Sequence, residues 1–184
     1  MKEFIRDVII ALAIVVALSF LVKPTIVKES SMENTLFSNE YLILNKMAYV
    51  NKDHPEYGDI IVFKSEIVND EPQRIQKLID SALGRTSYKL LIKRVIGVEG
   101  DVIRIKDGVV YRNGEPLDED YTKDGYTNGD IEEYTVPSDE LFVMGDNREM
   151  SLDSRKPEVG TVSEDTVVGK AVVRLFPFNR ISKL

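Results

Sequence analysis

The apolar and polar positions of this 184-residue chain change period several times, and each change predicts an element. From Val8 to Val22 the run VIIALAIVVALSFLV carries no charge, with Lys2 and Arg6 before it and Lys23-Pro24 after it. A helix that crosses hydrocarbon takes about 20 apolar residues. The run is therefore somewhat short alone, and reaches that length if Phe4 and Ile5, or Ile26 and Val27, contribute. A charged start and the small residues around Ala17-Leu18-Ser19 also fit a cleavable secretory segment. Apolar residues continuing through Phe20, Leu21 and Val22 favour an uncleaved anchor over residues 1–23, followed by a second unit over 24–184.

Beyond the anchor the period shortens. Tyr41-Leu42-Ile43-Leu44 and Ile60-Ile61-Val62-Phe63 are short apolar runs of strand type, the second punctuated by Gly58-Asp59. Between Asn69 and Gly84, Ile75, Leu78, Ile79 and Ala82 fall at helical spacing; Asp70 can cap, Pro72 sits near the start and Gly84 can stop it. A small helix inserted between strands is expected there. Strand character returns at Tyr88 and runs through Leu90-Leu91-Ile92 into Lys93-Arg94-Val95-Ile96-Gly97. Asp101 to Ile105 alternates, Lys106-Asp107-Gly108 turns, and Val109-Val110-Tyr111 closes a hairpin. Asn113-Gly114 marks another turn, Glu115 to Glu133 reads as a long solvated acidic excursion, and Leu141 to Met144 and Val167 to Phe176 are the last strands. Short strands with Gly and Asp punctuation predict a mainly β, antiparallel architecture behind an N-terminal transmembrane helix.

Composition narrows the chemistry. A net charge of -7 with no basic cluster argues against nucleic acid as a partner, since phosphate binding needs concentrated positive charge. The absence of Cys removes disulfides, thiolate metal sites and cysteine nucleophiles. The single histidine, His54, lies in the polar run Asn51-Lys52-Asp53-His54-Pro55 and is expected to be an exposed loop residue. Hydrolysis here would have to run on carboxylates or on a serine-lysine pair.

Three segments are candidates for such chemistry. Ser30-Ser31-Met32-Glu33-Asn34-Thr35-Leu36 follows the anchor closely, so a hydroxyl there is held near a membrane surface; by itself the stretch reads far more readily as a turn or cap than as a nucleophile. Lys93 has apolar neighbours on both sides, although the adjacent Arg94 also fits a charged strand edge. Burial would favour the neutral amine. A free lysine near pKa 10.4 is about 0.1% neutral at pH 7.4, and at 1.36 kcal/mol per unit a working base needs roughly 4 kcal/mol of desolvation or like-charge cost. The third segment, Gly145-Asp146-Asn147-Arg148-Glu149-Met150-Ser151-Leu152-Asp153-Ser154-Arg155, is too dense in Asp, Arg and Ser for a simple turn and fits a frame that holds a site rigid.

Taken in order, Ser31 to Leu36, Lys93 to Asp101 and Gly145 to Arg155, with Gly58-Asp59-Ile60-Ile61-Val62-Phe63, resemble the bacterial type I signal peptidases, membrane-bound serine proteases with a Ser-Lys dyad. The resemblance implies that Ser31 is the nucleophile and Lys93 the general base. It further implies that Ser151 orients the amine, that Asp146 with Arg94 and Asp153 with Arg155 are structural ion pairs, and that Met32 lines the nucleophile's surroundings. The Ser31 amide, with Ser30 as helper, would hold the oxyanion, and neither a metal nor an organic cofactor is implied. The implied substrates are preproteins bearing signal peptides with small side chains one and three residues before the cut. The lipid bilayer is the other implied partner, spanned once, with the N-terminus cytoplasmic and the β-rich domain on the extracytoplasmic face.

Two departures from the family pattern stand out. Asn34 occupies a position where the family normally has Pro, which would loosen the turn after the nucleophile. Glu29 stands where the family favours Ser or Gly, and a carboxylate there is expected to point into solvent so as not to oppose the oxyanion. These departures motivate an alternative, a weakly active or inactive homologue that serves as an assembly partner for surface proteins. A self-cleaving regulator on a related scaffold would need a DNA-binding module, for which an anchored chain leaves no room.

Overall fold

A computed structural model describes residues 1–50, 53–68 and 88–184. The first element, α1, is a helix over Lys2–Leu21 whose 20 residues span about 30 Å at 1.5 Å each. Apolar side chains project all round it and none is covered by the rest of the chain, so by length and composition it can cross a membrane. The helix starts six residues before the uncharged run and stops at Leu21, one residue short of the run's end. Lys23 precedes Pro24, whose ring disfavours the helical region for it, and the chain turns directly into a strand.

That strand, β1 (Val22–Ile26), is the edge of an eight-stranded antiparallel sheet. Next to it lies β2 (Tyr41–Asn45), with Ile26 opposite Tyr41 and Val22 opposite Asn45. The other long strands are β3 (Ile60–Val68), β4 (Tyr88–Gly97), β9 (Glu140–Met144) and β11 (Val167–Phe176). The spatial order is β1-β2-β11-β3-β4-β9-β10, where β10 is Val162–Ser163 and a short β12 (Ser182–Lys183) pairs with β11. A second antiparallel sheet has the order β7-β6-β5-β8, from β5 (Val102–Lys106), β6 (Val109–Arg112), β7 (Glu115–Pro116) and β8 (Ile131–Thr135). The mainly β, antiparallel prediction holds. Asp107-Gly108 and Asn113-Gly114 make the predicted turns with positive φ at both positions.

The large sheet is covered on both faces, and period-two alternation sorts its side chains. Along β3, Ile60 and Val62 enter a core with Val27, Met32, Leu36, Leu42 and Leu44, while Ile61 and Phe63 enter another with Leu91, Val95, Leu141 and Val143. A third core, between the sheets, joins Ile96, Phe142 and Met144 to Ile103, Ile105 and Val110.

One expectation needs correction. The stretch from Glu115 to Glu133 is not a solvated excursion throughout: it contributes β7 and the start of β8, and Thr122 and Thr127 are buried. Its acidic composition concealed this, because the groups that bury it are hydroxyls and backbone carbonyls bonded to distant parts of the chain. The helix expected at Asn69 to Gly84 lies outside the described residues.

Candidate active site

The site forms where the segment after β1 meets β4 and the loop after β9. Val27 extends the β1–β2 ladder by one pair: its N–H donates to the Glu40 carbonyl (2.9 Å) and its carbonyl accepts from Asn39 (2.8 Å). The chain then turns, with Glu33 N–H donating to Ser30 O (3.0 Å) and Leu36 N–H to Met32 O (2.7 Å). Met32 and Leu36 are the apolar pins of this turn, both buried in the first core. Ser31, between the exposed strand end and the pins, is itself buried.

Lys93 stands on β4 opposite Ile61, and alternation gives it the same strand face as Leu91 and Val95. It is 1% exposed, and its Nζ lies 2.6 Å from Ser31 Oγ. Burial pushes the Lys93 amine below the ordinary lysine range, against the opposing charges of Asp153, Glu29 and Asp146. Glu29 is exposed, as expected, yet close enough to favour the ammonium form.

Two carboxylates frame the pair. Asp146, fully buried, takes a bidentate bond from Arg94 (Nε to Oδ1 2.9 Å, Nη2 to Oδ2 2.7 Å). The Thr35 hydroxyl donates to the same carboxylate (2.5 Å), tying the nucleophile's turn to it. Asp153 is held bidentately by Arg155 (both contacts 2.9 Å) and accepts the Gly145 N–H at 3.0 Å. Burial pushes the Asp153 carboxyl up, but the Arg155 guanidinium more than offsets this and holds it below the usual carboxylate range. Both sequence-predicted ion pairs are therefore present.

Three residues of this frame had no role assigned from sequence. Asn147 bonds the carbonyls of both Ser30 and Ser31, its N–H to Ser31 O and its Nδ2 to Ser30 O, each at 3.1 Å. Gly145 packs so closely on the Ser31 carbonyl and Ser151 that a Cβ there would overlap both. Arg148, buried, bonds the Gly145 carbonyl (3.0 Å) and grips Glu119 with both terminal nitrogens. All but Glu119 lie inside the run Gly145 to Arg155, whose density was the signal; Glu119 had none.

Ser151 is buried against Gly145, with Asp153 near, and its Oγ completes no hydrogen bond among the described residues. The Ser31 N–H likewise donates to no acceptor among them. His54 is exposed and pairs with Glu164 at 2.7 Å.

The family model described as "Signal peptidase, peptidase S26" matches residues 1–176. The chain belongs to that family. It is 35% identical over its whole length to a probable signal peptidase I-2 of Synechocystis sp., of which it covers 75%. It is 34% identical to a signal peptidase I P of Bacillus subtilis subsp. natto, over 97% of this chain and 91% of that one. A crystal structure of a signal peptidase I from Enterococcus faecalis V583 matches 64% of this chain and 97% of that chain, at 28% identity and TM-score 0.45. Membership makes this protein a serine endopeptidase, and the apolar α1 fits a membrane-anchored one.

A buried amine whose pKa is lowered by folding has a stability consequence. In the unfolded chain Lys93 binds a proton up to about pH 10.4, whereas the folded chain releases it at lower pH. Unfolding then takes up a proton, so stability rises with pH between the folded pKa and the unfolded one. Lys93→Met should raise Tm at neutral pH by a few degrees, at about 2–4 °C per kcal/mol for this size. Thermal melts of both proteins should converge as pH approaches 10.

Proposed function

We propose that this signal peptidase cleaves signal peptides from exported preproteins with Ser31 as nucleophile and Lys93 as general base. The observation that carries the reading is the 2.6 Å contact between the Lys93 amine and the Ser31 hydroxyl, made by a lysine whose burial favours its neutral form. The neutral amine accepts the Ser31 proton as Oγ attacks the scissile carbonyl. The tetrahedral oxyanion is held by the uncommitted Ser31 N–H, with Ser30 beside it. On collapse the C–N bond breaks, the Lys93 ammonium returns its proton to the leaving amine, and an acyl-Ser31 ester remains. Water, deprotonated by the same lysine, hydrolyses that ester and regenerates the free hydroxyl.

The ammonium formed in the first step needs acceptors in a dry pocket. Ser151 Oγ, buried and uncommitted, is suited to accept from it and to orient it. Met32 packs beneath the turn, while Asp146 with Arg94 and Asp153 with Arg155 keep the frame fixed without reaching the reacting atoms.

The substrate takes the place of a missing strand. Among the described strands, β4 from Tyr88 to Ile92 pairs with β3 on one side and with nothing on the other, since β9 joins only at Arg94. A preprotein segment lying along this open edge would send alternate side chains inward just before Lys93, which suits small residues one and three positions before the cut. Residues 1–23 anchor the chain in the cell membrane with the N-terminus cytoplasmic, leaving 24–184 to work on the extracytoplasmic face.

Purified full-length protein in detergent should cut a preprotein carrying Ala at those two positions. Ser31→Ala and Lys93→Ala should each reduce cleavage by at least about 10³-fold, the loss expected when a member of such a unit is removed. Cleavage that survives Lys93→Ala would overturn the dyad. A second measurement concerns Glu29, whose charge favours the Lys93 ammonium. Glu29→Gln should therefore shift the acid limb of the kcat/KM profile to lower pH and raise activity near neutrality, which a pH–rate series on the same preprotein would read.

A further inference from the structure

Asn34 breaks the family pattern, and the structure shows what stands in place of the expected loosening. Its φ is +91°, a left-handed backbone that Asn tolerates better than other side chains and that proline, locked near −65°, does not adopt. From this conformation the carboxamide reaches across the chain and donates to two carbonyls, Tyr121 O at 3.1 Å and Thr122 O at 3.2 Å. Both acceptors belong to the segment between β7 and β8, far away in sequence. That segment is no free loop: Thr122 is buried, Glu119 is gripped by Arg148, and the Lys123 N–H donates to Asp146 O at 3.1 Å. The Tyr121 ring lies 4.1 Å from the Arg94 guanidinium, beside the lysine.

These bonds close a ring around the nucleophile. Asn147 holds the Ser30 and Ser31 carbonyls upstream, Thr35 holds Asp146 downstream, and Asn34 fastens the middle of the turn to Tyr121-Thr122. The neighbouring Glu33–Lys123 pair at 3.0 Å points the same way, but it is a partly exposed ion pair and contributes little. Two neutral bonds to fixed carbonyls, made from a backbone conformation few residues adopt, are the directional element.

We propose that Asn34 is a positioning residue, a strut between the nucleophile's turn and the β7–β8 segment that sets where the Ser31 hydroxyl stands relative to Lys93. The proposal rests on the reading of Ser31 and Lys93 as the catalytic pair. It makes the family's own proline the wrong residue here, because Asn34→Pro removes both bonds and forbids the observed φ.

The test uses the full chain in detergent with a preprotein bearing Ala one and three residues before the cut, and four variants at an exposed position where folding should survive. Asn34→Gly keeps the backbone and removes only the bonds; Asn34→Asp keeps the shape but turns an oxygen toward two carbonyls; Asn34→Ala and Asn34→Pro alter both backbone and bonds. Expected are unchanged circular dichroism, KM within about twofold, kcat down about tenfold for Gly and further for Asp, and the largest loss for Pro. Amide exchange should quicken at Thr35 and Leu36 and at residues 121–123. A lower Tm with unchanged kcat would reduce Asn34 to a structural role and overturn the proposal, as would Asn34→Pro matching the wild type. Exchange separates two failures: a wild type that cuts nothing sinks the protease reading, while unquickened exchange in Asn34→Gly sinks the strut.

Discussion

A lysine amine is soluble because water surrounds its charge, and this fold denies it that water. Lys93 shares a strand face with Leu91 and Val95 and stands opposite Ile61 in a sheet covered on both faces, so burial disfavours its charged form. Everything placed around the amine then matters for its contact with the Ser31 hydroxyl. The nearby carboxylates of Asp153 and Asp146 would defeat the arrangement if they were bare, because each favours the ammonium. Each is instead paired bidentately with an arginine. The arginines oppose that negative charge locally and hold the frame rigid in geometry.

That frame explains why the polar run after β9 is so dense. The side chains of Asn147, Arg148, Asp153 and Arg155 converge on backbone. Gly145 N–H, Gly145 O, Ser30 O and Arg148 O are fixed by side chains of this run, and Ser31 O by the backbone N–H of Asn147. A side chain on a loop is only as well placed as the carbonyls beside it, and a loop has no ladder to hold them. Here side chains supply the missing ladder.

The parts of this design that were readable in the sequence are those with local patterning. Alternation in β3 and β5, the Asp107-Gly108 and Asn113-Gly114 turns, and the uncharged run of α1 each announce themselves within a few residues. The pairing of Ser31 with Lys93 does not, since 62 positions separate them; it came from the ordered resemblance of three segments. Least legible was the stretch around Tyr121-Thr122, whose acidic neighbours suggested solvent. Its burial depends on what Asn34 and Arg148 bond to, and hydrogen bonds between distant segments leave no periodic trace. Asn34 reads as a weakness in the sequence because a missing proline is visible there whereas a left-handed φ and two carbonyl acceptors are not.

The anchor and the site are joined more closely than a flexible linker would allow. Lys46, at the end of β2, donates its N–H to the Leu21 carbonyl at 2.9 Å and its Nζ to Ser19 O at 3.2 Å, satisfying carbonyls the helix end leaves open. With Val22 already paired to Asn45, the last turn of α1 is clamped to the sheet from two sides. β1 then carries the chain five residues along that sheet, about 17 Å at 3.4 Å each, before the turn that bears Ser31. The distance from helix end to Ser31 is thus set by a paired strand with a fixed register. A strand cannot lengthen by fluctuation as a coil does, so the depth at which the hydroxyl works relative to the helix is written into the β1–β2 ladder.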